Sequence, residues 1–252
     1  MVQSLREPLV LRELAALHDQ DGSASCLVSP EELKAIGEVM LRLWSRCAQD
    51  RQCAVLKATS ATARVGEMLM AARPNARAVY LSMEPEPYLA VILGGPASLL
   101  DVRGHAEERM RRLSRLLTSA PKPLYAMSPG ELAASSWLAE ALTRERLGRQ
   151  FDSRILPVDF DRFLTDIAQA MSAILGHLGI PGGEDLAGRL AGSPSLGQYA
   201  KAPEHAYSSR LRQEVIENSR RQNGAEIKRG LALLQGLAKE NGNVAKLLGS
   251  AF

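Results

Sequence analysis

The apolar run "CAVLK" ends on Lys57, and Thr59 and Ser60 follow it, with Arg64 about one turn further on. An ammonium at the end of an apolar strand is a compact charge with three N–H donors at the rim of a sheet, suited to holding a phosphate or sulfate oxygen. The plain alternative is that Lys57 solvates the strand end. Two more strand ends carry notable groups: Met83, Glu84 and Glu86 at and beyond the end of "AVYLSM", and Asp159 and Asp161 at and beyond the close of "RILPVDF". The two aspartates stand where caps of the next helix belong, which is a simpler use for them than acid–base chemistry.

Other reactive residue types read as structure. His177 falls in the last turn of a helical segment, where a cation complements the helix dipole. His18, His105 and His205 lack the spacing a metal needs. Cys26, Cys47 and Cys53 are odd in number and not spaced as ligands, so they read as free thiols of a reducing compartment. In "HAEERMRRLSRLL" the pairs Glu107 with Arg111 and Glu108 with Arg112 are i,i+4 ion pairs, which predict a solvated helix face and not a nucleic-acid surface. "YAKAPEHAY" gathers Lys201, Glu204 and His205 among tyrosines, and reads equally as an ordered surface turn or a lid.

The elements that must position these residues are mostly helices. "SPEEL" supplies Ser29 as cap, Pro30 as first helical residue and Glu32 to complete a capping box, ahead of Leu33, Ile36, Met40, Leu43 and Cys47 at helical spacing. "SPGEL" repeats the device at Ser128, ahead of Leu132, Trp137, Leu138, Ala141 and Leu142. A third helix is predicted through Phe163, Ile167, Met171, Ile174 and Leu178, ending at Gly179 with Pro181 beyond. "PGGEDLAGRLAGSPSLG" (181–197) predicts a surface loop. A C-terminal helical region is expected over 208–240. Its polar middle, Asn218 to Asn223, predicts a break near Gly224 or a segment crossing solvent.

Three apolar runs without alternation, 53–57, 78–83 and 154–160, predict strands covered on both faces, each followed by a helical segment. That order predicts an α/β fold: a central parallel sheet flanked by helices, helix-rich, in a single domain spanning 1–252. "KPLYAM" (122–127) is a weaker fourth strand, since its prolines cannot donate to a ladder. The chain of 252 residues is 46% hydrophobic and 23% charged, which argues against wholesale disorder. A net charge of +3 and aromatics at 4% give no footing for a base-stacking nucleic-acid surface. With no apolar run of membrane-spanning length and no targeting signal, the expectation is a cytoplasmic protein without membrane contact.

In residues 55–93, "VLKATSATARVGEMLMAARPNARAVYLSMEPEPYLAVIL", the order strand, Lys, helix, "RPNARAVYL" turn and strand, then helix resembles the middle of the PAPS-dependent sulfotransferases. "ILPVDFDRFLTDIAQAMSAILGHLGIP" resembles a later segment of that family. "LREPLVLRELAAL" resembles the acidic segment of the branch that includes the tyrosylprotein sulfotransferases. Together these cover roughly residues 5–20 and 53–181. The resemblance implies a P-loop NTPase-like fold and sulfuryl transfer from PAPS to an acceptor hydroxyl or amine, with no metal. It implies Glu7 as base and Lys57 as the group that steadies charge on the transferring group. Thr59, Ser60 and Arg64 are the cofactor-binding candidates.

Two departures set limits. The family's 3′-phosphate site has Arg at the position of Met83 and Ser at that of Val91; a thioether and an isopropyl group cannot replace those bonds, and Glu84 and Glu86 add negative charge. The expectation is therefore weak or no binding of PAP or PAPS, with Arg64 and Arg77 as the first replacement cations to test if binding is tight. A glycine-rich P-loop should also stand upstream of "LREPL", and the expectation is a start assigned too late, the alternative a chain that lacks the loop. The second functional class is therefore a non-catalytic module that keeps the scaffold and binds a partner. Neither the acceptor nor the oligomeric state is encoded in a motif.

Overall fold

A computed structural model of the chain describes residues 2–20, 26–46, 53–119, 121–199 and 202–249. In chain order the elements are β1 (Val2–Arg6), α1 (Leu9–Asp19), α2 (Pro30–Arg46), β2 (Cys53–Lys57), a 3₁₀ turn (Ser60–Val65), α3 (Gly66–Ala72), β3 (Ala78–Ser82), α4 (Pro85–Gly94), α5 (Pro96–Gly104) and α6 (Ala106–Leu116). There follow a 3₁₀ turn (Leu124–Ala126), α7 (Pro129–Phe151), β4 (Ile155–Asp159), α8 (Phe160–Thr165), α9 (Ile167–Leu178), α10 (Gly183–Ala191), β5 (Gln198–Tyr199), β6 (Ala202–Ala206), α11 (Ser209–Glu240) and α12 (Gly242–Gly249). This is a helix-rich α/β chain with small parallel sheets.

All three apolar runs form strands, but the described strands pair two by two: β1 with β2, β3 with β4, and β5 with β6. A run without alternation does not distinguish a strand bonded on both edges from one bonded on one edge, so the expected single central sheet is not what these pairings build. Leu81, in the middle of β3, is 52% exposed. Four other differences have local causes. Residues 122–127 carry a 3₁₀ turn instead of a strand, because prolines at 121 and 123 remove two donors. Residues 183–191 form α10, whose glycine-rich start is its entry turn, with φ of 127° at Gly182 and 50° at Gly183. The helix predicted through 163–178 breaks at Asp166, whose carboxylate accepts from Gln169 N (2.9 Å) and so starts α9 afresh. Finally, α11 runs unbroken through Gly224.

The chain divides into two compact units: residues 1–78, 143–156 and 177–180, and residues 79–142, 157–176 and 181–252. In the first, β1 and β2 run parallel with Val2 opposite Cys53 and Arg6 opposite Lys57. Leu11, Leu14, Ala15, Leu33 and Val65 form its core, with Leu56 of β2 packed against it. The Ser29–Glu32 capping box closes as expected, each side chain accepting from the other residue's N–H at 2.8 and 3.2 Å. Arg154 anchors the turn after α3, donating to the carbonyls of Met70, Arg73 and Ala76 at 2.7, 2.6 and 3.0 Å. His177 is structural: its Nε2 lies 3.0 Å from Ala78 O and 3.3 Å from Arg154 O.

The second unit is organised by α11. Gly94 at the end of α4 lets Ser219 approach, and Asn223 donates to Leu93 O (3.3 Å), so α11 packs here through these two residues, its other polar residues exposed and the helix unbroken. Where α7 begins, a Cβ on Gly130 would stand 1.9 Å from Glu226 O; one on Gly230 would meet Gly130 O at 2.5 Å and Leu89 at 2.4 Å. Leu89, Leu113, Leu138, Ile216 and Leu234 are buried around this contact, each contributing about 1.5–3 kcal/mol of burial. The second capping box also forms, Ser128 with Glu131, and Glu226 accepts from Gly130 N (2.9 Å) at the same helix start.

Gly130→Ala and Gly230→Ala are expected to destabilise the protein by about 2–3 kcal/mol or more, since backbone cannot move aside as a side-chain tip can. Gly236→Ala on the same α11, with nothing within 4 Å, should instead stabilise by about 1 kcal/mol; denaturant midpoints would check both. Burial raises the Glu226 carboxyl, but the Gly130 N–H, the Ser128 hydroxyl and Arg229 outweigh it and hold it below the usual carboxylate range. Because the folded value is depressed, this contribution is complete above the unfolded carboxyl value of about 4.3 and is lost as pH falls through the folded one. Between pH 6 and pH 3 the wild type should therefore lose more stability than Glu226→Gln, in parallel denaturant titrations.

Candidate functional site

At the carboxyl ends of β1 and β2 the ladder continues one residue past the strands: Glu7 N donates to Lys57 O at 2.9 Å. Glu7 then turns into the left-handed region, with φ of 45°, and the chain passes through Pro8 into α1. Its carboxylate meets the Lys57 ammonium at 2.8 Å, with the side chains 32% and 53% exposed respectively. A left-handed conformation costs a non-glycine residue roughly 1–2 kcal/mol. An ion pair this open to water returns about 0–1 kcal/mol. The glutamate is thus kept where glycine would fit the backbone better, and its carboxylate is the reason to look for a function.

Two and three residues beyond Lys57 the chain presents hydroxyls. Thr59 opens the 3₁₀ turn, its carbonyl accepting from Thr62 N (3.0 Å) and Thr62 Oγ1 (2.8 Å). Thr59 Oγ1 is buried and has no hydrogen-bond partner among the described residues. Ser60 is exposed. Arg64 goes elsewhere: its Nε and Nη2 hold both oxygens of Asp19 at 2.6 and 2.7 Å, tying the 3₁₀ turn to the end of α1. Arg77 likewise serves structure, donating to His177 O at 2.7 Å. Both guanidiniums are thus engaged within the fold.

The second unit holds the β3 end. Met83 O accepts from Trp137 Nε1 (2.9 Å), and Met83 Sδ accepts from Arg212 Nη2 (2.9 Å). Arg212, 7% exposed, also grips Asp161 through Nε (2.8 Å) and Nη2 (3.2 Å), and its guanidinium lies 4.9 Å over the Phe160 ring. Arg220 binds both oxygens of Glu86, at 2.8 and 2.6 Å. Val91 packs against the hydrophobic core. These two α11 arginines escaped the sequence reading. A signal was present at Arg212, which lies on the buried face of α11 with Ile216, Ser219 and Ile227, where an arginine must have a partner.

The arginine-rich helix α6 differs from expectation on one face. Glu107 and Arg111 form the exposed pair predicted, at 2.7 Å. Arg112, in contrast, is shielded with Glu108 (3.1 Å) and Glu140 (2.8 Å), and Arg109, 3% exposed, faces Glu140 at 3.4 Å. Tyr80 donates to Glu140 O at 3.2 Å, and beside it burial pushes the Tyr88 hydroxyl up, opposed by its bond to Ser136. Charges that balance inside a helix pair fix its geometry. Asp159 caps α8 through Arg162 N (2.8 Å), as expected. β5 pairs antiparallel with β6, and Ala200 and Lys201 between them lie outside the described residues. Cys26 and Cys53 are free thiols, and Cys47 lies outside the described residues.

Among the described residues no group of three or more His, Cys, Asp or Glu is placed to hold a metal ion, and no helix is long and apolar enough to cross a membrane. No family model, curated protein or solved structure matches the chain.

If the Glu7 carboxylate serves function rather than stability, Glu7→Gly should fold within about 1 kcal/mol of the wild type, because relief at φ 45° offsets both the lost pair and the added chain entropy. Glu7→Ala, which loses the pair and keeps the strain, should be the less stable of the two by thermal melting. A loss above about 2 kcal/mol in Glu7→Gly would make the pair a structural anchor.

Proposed function

We propose that the chain is a sulfotransferase-like protein of P-loop NTPase-like fold, moving a sulfuryl group to an acceptor hydroxyl or amine at the carboxyl ends of β1 and β2. The observation that carries this reading is the Glu7–Lys57 pair at 2.8 Å, built on a left-handed glutamate. The donor PAPS would supply an activated sulfuryl group and a nucleotide leaving group. Its sulfuryl end fits the donors here: the Lys57 ammonium, the Ser60 hydroxyl and the unpartnered Thr59 Oγ1. Glu7 Oε1 takes the acceptor's proton, and Lys57 Nζ meets the negative charge that develops opposite it. Because the pair is worth only about 0–1 kcal/mol, Glu7 exchanges Lys57 for an acceptor at small cost.

A specific observation favours a second reading, a non-catalytic module that retains the scaffold. At the β3 end Met83 and Val91 offer no bond to a phosphate, and the nearby guanidiniums are held by Asp161 and Glu86. The two readings separate on turnover. In the enzyme, Glu7→Ala lowers sulfuryl transfer by about 100-fold or more, the contribution of a positioned base, while Lys57→Ala weakens donor binding. Turnover unchanged in Glu7→Ala removes Glu7 as base. Donor binding without transfer to any hydroxyl or amine acceptor assigns the module. PAP is expected to bind more weakly than about 1 μM, a bound of about 8 kcal/mol, by calorimetry.

A further inference from the structure

Resting on the sulfotransferase-like reading, we infer that Asp19 and Arg64 are positioning residues of the β1–β2 site: their ion pair locks the far ends of the two arms that leave Glu7 and Lys57, and so holds the carboxylate, the ammonium and the Thr59 hydroxyl in one arrangement. The pair at the strand ends cannot do this alone. Its side chains are 32% and 53% exposed, so water weakens it, and its glutamate sits in a left-handed turn that the backbone resists. A contact beyond those two side chains has to keep the turn in place.

Both arms start from the same rung of the ladder. Arg6 lies opposite Lys57, and Glu7 N donates to Lys57 O at 2.9 Å. From there α1 runs for 11 residues, about 16 Å, to Asp19; the 3₁₀ turn runs for 6 residues, about 12 Å, to Val65. Along their length the arms share an apolar core of Leu11, Leu14, Ala15 and Val65. Apolar contact is non-directional, so it sets their separation and opposes sliding and rolling only weakly. Arg64 supplies the directional contact: Nε and Nη2 hold the two oxygens of Asp19 at 2.6 and 2.7 Å, with the side chains 11% and 18% exposed. A two-point fork fixes angle as well as distance. The constraint passes back along the 3₁₀ turn, because the buried Thr62 donates through both N and Oγ1 to Thr59 O. Thr59, with its buried Oγ1, stands two residues from Lys57.

The test is Arg64→Lys in the full chain, which keeps a charge beside Asp19 and removes the fork. Transfer from PAPS to a simple phenol, an alcohol and an amine is expected to lose about tenfold or more in kcat, with KM for PAPS within about threefold, since a misplacement of about 1 Å at reacting groups costs up to about 100-fold. Asp19→Asn combined with Arg64→Gln, which strands no charge, gives the same measurement if lysine is not accommodated. Amide hydrogen exchange reads the variant without substrate: the Glu7 and Thr62 N–H groups, bonded to Lys57 O and Thr59 O, should lose protection while Leu14 in the middle of α1 keeps it. A kcat within about threefold of the wild type, or protection lost equally at Leu14, makes the pair a general stability clamp and overturns the inference while leaving the sulfotransferase-like reading standing. No transfer by the wild type to any of the three acceptors overturns both.

Discussion

Two helix backbones meet with no side chain between them where α7 starts on α11, and the second unit is arranged around that contact. With glycine at 130 and 230 the helices approach until the space for a Cβ is taken by carbonyl oxygen. The close approach brings Glu226 to the first free N–H groups of α7, which a helix start must satisfy somehow. It also brings Leu89 of α4 against Gly230, so that α4, α7 and α11 share one buried layer with Leu138 and Leu234. Interiors packed this densely have no slack. The position of α11 in turn decides which residues of its long face reach α4, and hence where Arg212 and Arg220 fall.

Charge in this protein sorts into two kinds. Arg64 with Asp19, Arg212 with Asp161, and Arg109 and Arg112 with Glu140 are pairs shielded from water. Removing one partner of such a pair strands a buried charge, at a cost of about 3–5 kcal/mol, so they fix geometry. Glu7 and Lys57 are of the other kind. They are open to water, weakly coupled, and set on a backbone turn that glycine would make more comfortably. A carboxylate placed on a strained backbone and paired in the open is the group on which a functional reading should rest.

How much of this was legible in the sequence depended on whether the signal was local. The two capping boxes, at Ser29 and Ser128, and the Asp159 cap are written in four consecutive residues and formed as read. The apolar runs ending at Lys57, Ser82 and Asp159 became strands for the same reason. Pairing is not local, so neither the two-by-two sheets nor the 2.8 Å approach of Glu7 to Lys57 could be read without the resemblance that placed them together. The packing of the polar stretch Asn218–Asn223 was not legible because Ser219 meets Gly94 and Asn223 meets the Leu93 carbonyl, more than a hundred residues earlier. Arg64 illustrates the same limit: an arginine beside a candidate site was available by sequence and was already held by Asp19.

The first unit is discontinuous, and its clamp is supplied late. Arg154 reaches carbonyls 78 to 84 residues before it in the chain, and His177 closes on Ala78 from 99 residues away. During synthesis at about 5–20 residues per second, the turn after α3 leaves the ribosome roughly 4–16 seconds before the arginine that anchors it. The second unit waits longer still, because α11 and α12, which complete its core, come after its other described helices in the chain. Each unit thus emerges with apolar surface that its own nascent chain cannot yet cover. Folding of one unit after the other from the N-terminus is closed to this topology, because the segments that complete the first unit lie within the sequence of the second.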